Sequence, residues 1–149
     1  MNTLRKSFTY KQNLSANAKR VFPLLCPEME KLWVDGWDYR MIYSKSGFAE
    51  QDCIFQTERE RKETWVISHF NPEELRIEFH KTDNTELQTH IKIQLEDLKS
   101  GCSADVMYTY TGLNEKGNQF VAGFTEADYL NFMSIWENSL NKYLKKTAA

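Results

Sequence analysis

The stretch TEADYLNFMSIWENSLNKYLKK, residues 125–146, decides the fold, because its helical reading has almost no rival. Tyr129, Phe132, Met133, Trp136, Leu140, Tyr143 and Leu144 recur at steps of three and four, which draws one apolar stripe along a helix. Both ends carry helix chemistry. Thr125 suits the N-cap with Asp128 at the third helical position, Glu126 and Asp128 put acid in the first turn, and Lys142, Lys145 and Lys146 put base in the last. So long a stripe needs a large apolar partner.

The partner is a sheet. Residues 4–13 alternate loosely around Leu4, Phe8 and Tyr10 and read as a first strand, at an edge or crossing. Ser15 or Asn17 can cap a short helix carrying Ala18, Val21, Phe22 and Leu25, broken by Pro27, and a second helical turn spans Glu28 to Leu32. Beyond the tight Asp35-Gly36 step the period changes to two. Residues 39–44, 52–57, 64–70, 75–81, 87–95 and 103–111 read as six short strands, and the turn chemistry between them suits antiparallel neighbours. Leu75, Ile77 and Phe79 alternate with Glu74, Arg76, Glu78 and His80, while Ile91, Ile93 and Leu95 repeat the pattern. Asn114 to Gly117 form a polar elbow before the principal helix.

Composition narrows the function. The net charge of -2 and pI near 5.9 leave no basic field for phosphates, so nucleic acid is not an expected partner. The start lacks the apolar run of a signal peptide and nowhere do about 18 apolar residues follow one another, so a cytoplasmic protein without stable membrane insertion is expected. Cys26, Cys53 and Cys102 have neither C-x-x-C nor zinc spacing and read as free thiols, with no metal and no cofactor. The chain reads as one domain over residues 1–149, monomeric or homodimeric through its first strand.

Geometry then points to a chamber. Seven strands make a sheet roughly 30 Å wide, whereas one helix with its side chains is about 10 to 12 Å across. The sheet must curl round the helix, leaving either an open apolar space or one filled by large aromatics.

The order strand, two short helices, six strands, long C-terminal helix resembles the START-like, helix-grip superfamily, also called SRPBCC, which includes the birch-pollen allergens and polyketide cyclases. Val21-Phe22-Pro23-Leu24-Leu25-Cys26-Pro27, Trp33 to Trp37, Gly47-Phe48-Ala49-Glu50 with Cys53 and Phe55, Thr64-Trp65-Val66, and Tyr110 to Asn118 followed by Phe124-Thr125-Glu126 are similar to a bacterial branch of it. The resemblance spans nearly the whole chain. It implies an α+β helix-grip fold, with a curved seven-stranded antiparallel sheet wrapped round the long C-terminal helix. It also implies a small apolar or amphipathic ligand, a lipid-like molecule among them, held between sheet and helix.

Strand parity and helical phase select Trp65, Phe79, Tyr108, Tyr110, Phe132, Met133 and Trp136 as lining candidates, with Trp37, Met41 and Phe55 beside them. Trp33 reads as corner packing. His80 and His90 share phase with charged residues and should face water, while His69, in phase with Trp65 and Ile67, should point inward unless a bulge reverses the strand. No nucleophile elbow, P-loop or dinucleotide fingerprint is present. The first reading is therefore a carrier or binder. A cyclase or dehydratase would use His69, Tyr108 and Tyr110, with Tyr43 as a further pocket hydroxyl, and a chaperone-activator-like interaction module would use the outer sheet face.

Overall fold

In the computed structural model, which describes residues 2–59, 61–83 and 86–148, seven strands form one antiparallel sheet. β1 (Arg5–Leu14) leads to α1 (Ala18–Val21), a 3-10 turn (Phe22–Leu25) and α2 (Pro27–Glu30). Then come β2 (Arg40–Tyr43), β3 (Ile54–Glu58), β4 (Lys62–Asn71), β5 (Arg76–Asp83), β6 (Leu87–Asp97) and β7 (Cys102–Gly112), followed by α3 (Glu115–Gly123) and α4 (Glu126–Lys146). The spatial order β1-β7-β6-β5-β4-β3-β2 makes β1 and β2 the edges.

Alternation decides which face is dry. Ile77 and Phe79 on β5, Ile91, Ile93 and Leu95 on β6, and Ala104, Val106, Tyr108 and Tyr110 on β7 are all at most 6% exposed. Between them Glu78, His80, Lys92, Gln94 and Met107 lie on the opposite, half-buried face.

Helix α4 starts where its sequence says. The Asp128 amide donates to Thr125 Oγ1 at 3.1 Å and the Thr125 amide donates to the Asp128 carboxylate at 2.9 Å, a reciprocal capping box. Tyr129, Met133, Leu140 and Leu144 are 0% exposed, each worth about 1.5 to 3 kcal/mol of burial. The Tyr129 hydroxyl donates to the Val106 carbonyl at 2.8 Å and its ring stacks on Phe8, which seats the first turns of α4 against β1 and β7. At the other end the Arg20 guanidinium of α1 donates to the Leu144 carbonyl at 3.3 Å and to Thr147 Oγ1. Phe132 and Trp136, from the middle of the same stripe, are left partly uncovered.

Two local expectations are corrected. Residues 114–117 are not an elbow: Asn114 caps the nine-residue α3, accepting from the Gly117 amide at 3.0 Å. The helix docks closely because a Cβ on Gly117 would sit 1.7 Å from the Glu86 carbonyl oxygen, so backbone meets backbone there. The second correction is His69. The β4–β5 register shifts between Ile67 and His69, after which His69 pairs with Glu78 and Phe70 with Ile77. The bulge turns Phe70 inward, where it packs against Phe22, and carries His69 to the outer face.

Candidate functional site

A cavity of about 430 Å³ lies between the concave sheet and the middle of α4. Thr57, Glu63, Trp65, Phe79, Lys81, Ile91, Ile93 and Tyr108 form the sheet side, and Phe132, Ile135, Trp136 and Ser139 the helix side. Glu30, at the end of α2, and the segment carrying Trp33, Val34, Asp35 and Trp37 wall it, with Arg59 beside them.

All four tryptophans of the chain line this space. Three are held by their indole N–H groups: Trp33 donates to the Leu24 carbonyl at 2.7 Å, Trp37 to the Pro27 carbonyl at 2.8 Å and Trp65 to Thr57 Oγ1 at 2.9 Å. The Trp136 Nε1 is buried with no partner among the described residues. Trp136 is instead fixed by stacking, its ring 10° from that of Trp33 with centroids 5.8 Å apart. Trp37 meets Trp65 edge to face, and Phe132 meets Tyr108 in the same way. Rings anchored like this lose little freedom when a ligand arrives.

The walls also carry charge. Lys81 pairs with Glu63 at 2.9 Å and holds its ammonium 4.6 Å from the centroid of the Trp65 ring. Burial pushes the Glu30 carboxyl well above the ordinary carboxylate range, with nearby Lys81 pulling the other way. Burial likewise pushes the Tyr108 phenol well up, which keeps it protonated at neutral pH. Cys26 is raised to about 12 by burial and then by Glu30, and Cys102 to about 11 by burial, so neither behaves as a thiolate.

Of the residues selected from the sequence, Trp37, Trp65, Phe79, Tyr108, Phe132 and Trp136 converge on the chamber. Met133 points elsewhere, fully buried where Gln12 reaches its carbonyl. Phe55 lies stacked on Trp65, Tyr110 packs among Phe8, Phe120 and Phe124, and Met41 pairs with Phe55 at the sheet edge. Tyr43 is 56% exposed and does not line it. Sequence reading missed Glu30, Glu63 and Lys81 and favoured corner packing over a ligand contact for Trp33. Parity was the available signal: Lys81 is two residues from Phe79, Glu63 two from Trp65, and Glu30 one helical turn before Trp33.

The three histidines lie on the other side of the sheet, His80 and His90 together and His69 opposite Glu78 with its buried Nε2 unpartnered among the described residues. The rings of His80 and His90 stack 3.9 Å apart, His80 Nδ1 lies 2.8 Å from Ser68 Oγ, and His90 Nε2 lies 2.8 Å from Glu78, whose other oxygen accepts from Arg76. His80 and His90 therefore face outward as expected, but half-buried and within a network rather than freely hydrated.

These features define a protein of the START-like, helix-grip fold with a single long helix closing an aromatic chamber. An uncharacterised protein from Rhizobium leguminosarum is similar at a TM-score of 0.70 and 13% identity, over 97% of each chain. Ara h 8.0201 is similar at 0.70 and 10% identity, over 97% of this chain and all of that one. Norcoclaurine synthase from Thalictrum flavum, solved with dopamine and hydroxybenzaldehyde, is similar at 0.69 and 12% identity, over 99% of this chain and 90% of that one. No protein-family model and no curated protein matches the sequence. Among the described residues no helix is long and apolar enough to cross a membrane.

Proposed function

We propose that the protein binds a small, flat, largely aromatic or apolar molecule in the chamber between the curved sheet and α4. One observation carries the reading: every tryptophan of the chain borders the same space of about 430 Å³. That volume falls within the usual range for small-molecule sites, about 300 to 1,000 Å³. Trp37 and Trp136, the two half-buried indoles, offer apolar ring surface that a guest would cover. The two small aromatic molecules held by the similar synthase support the size class. The cyclase or dehydratase reading loses its base, since His69 is on the outer face and Tyr110 is packed in the core.

The neutral fluorophore N-phenyl-1-naphthylamine tests this. Saturable emission enhancement at one probe per chain is expected, with Kd on the order of 10 µM, as about 0.4 kcal/mol per non-hydrogen atom gives. Trp136→Ala should weaken it about tenfold or more. No saturable enhancement, or enhancement untouched by Trp136→Ala, would refute the reading.

A further inference from the structure

Among the acids lining the chamber, Glu63 is paired with Lys81 and Asp35 is exposed to solvent, while Glu30 has no ion pair and feels Lys81 only at longer range. Lys81 is matched by Glu63 at 2.9 Å and covered by the Trp65 ring, so that pair is already neutral. Glu30 lines the same space, and its carboxyl has no hydrogen-bond or ion-pair partner among the described residues. The stacked indoles of Trp33 and Trp136 line the same space. Aromatic faces carry negative electrostatic potential and attract cations, while a carboxylate adds a full negative charge. An anionic ligand would meet both as repulsion. A neutral ligand would leave the carboxyl buried without a partner, which costs free energy.

We infer that the chamber is selective for organic ammonium ions, monocations with an apolar or aromatic body, whose charged nitrogen meets the Glu30 carboxyl while the aromatic walls cover the body. The inference rests on the chamber being a ligand site and adds the charge of the ligand. Its thermodynamic signature is proton release. In the empty chamber burial favours the protonated acid, and an arriving ammonium ion favours the carboxylate, so a proton leaves as the cation enters. Ammonium affinity therefore rises with pH until Glu30 is ionised in the empty chamber. The other titratable and charged groups facing this region are Cys26, Asp35, Arg59, Glu63, Lys81 and Tyr108. Of these, Asp35 and Arg59 are exposed, the Lys81–Glu63 pair is mutually compensated, and the Cys26 thiol and Tyr108 phenol remain protonated well past neutral pH.

Benzyltrimethylammonium and its uncharged isostere neopentylbenzene separate the possibilities, because they differ in charge and hardly in shape. Calorimetric titrations in phosphate and in Tris, whose ionisation enthalpies differ, count the protons released. The expected result is at least about tenfold tighter binding of the ammonium ion, with proton release that disappears in Glu30→Gln along with the preference. Should Glu30→Gln fail to fold, the wild-type protein still decides through the isostere ratio and the rise of ammonium affinity with pH. Equal or tighter binding of neopentylbenzene, without proton release, would overturn the charge selectivity and leave the chamber as a ligand site. Binding of neither probe, together with no response to N-phenyl-1-naphthylamine, would overturn both.

Discussion

Trp33 and Trp136 are stacked with near-parallel rings, planes 10° apart and centroids 5.8 Å apart, and so join the segment after α2 to the middle of α4. Trp33 is 6% exposed and held by the Leu24 carbonyl, whereas the Trp136 Nε1 has no hydrogen-bond partner among the described residues. Trp136→Ala should therefore both open the chamber and remove apolar packing. Urea unfolding should show a loss of about 2 to 4 kcal/mol, below the full cost of a completely buried tryptophan because Trp136 is half-buried.

Docking of α3 depends on the absence of a side chain. Gly117→Ala would drive a methyl group into the Glu86 carbonyl, a clash with backbone rather than with a flexible side chain. A loss of about 3 kcal/mol or more is expected in urea unfolding. Gly123→Ala, in the same helix, meets nothing within 4 Å of the new Cβ. It should be neutral or slightly stabilising by comparison.

The ends of α4 were readable from residue types alone, because a cap is a local hydrogen-bond arrangement that Thr125 and Asp128 specify between themselves. Thr125→Ala should cost about 1 kcal/mol in thermal or urea unfolding. The Thr125 amide and hydroxyl hold the Asp128 carboxyl below its ordinary 3.8, so its contribution is complete above that pH and is lost as pH falls through the depressed value.

The strand faces were readable for the same kind of reason wherever alternation ran unbroken, as along Ile91, Ile93 and Leu95. They failed at His69, where the extra residue of a bulge reverses parity, the one hint being that Val66 and Phe70 make the opposite face apolar too. Helix α3 was hidden because Gly117 and Gly123 lower helix propensity, and the tight approach that Gly117 permits is a tertiary fact. The aromatic part of the chamber could be anticipated from phase, while its charged part was passed over, since Lys81 and Glu63 suggest solvent until their strand partners are known.

The outer face should respond to acid. Burial, then repulsion from His90, holds His80 below the ordinary 6.5, only partly offset by Glu78. Its contribution to stability is complete above 6.5 and falls as pH drops through 6.5 toward the lower folded value, because only the unfolded chain then takes up the proton. Burial raises Glu78, but hydrogen bonds from His90 and Arg76 outweigh it and leave the carboxyl below 4.5, so a second loss follows at lower pH. The melting temperature of the wild type should drop by a few degrees between about pH 7 and pH 5, and His80→Gln should flatten that upper step while leaving the lower one.

The most direct measurement of the central claim uses the four tryptophans themselves. Protein labelled with 5-fluorotryptophan carries four fluorine reporters, all on the chamber and none elsewhere in the chain. On titration with N-phenyl-1-naphthylamine, the account predicts that all four resonances shift along one saturation curve at one probe per chain. Four resonances that stay in place while the probe is raised past millimolar concentration would contradict it.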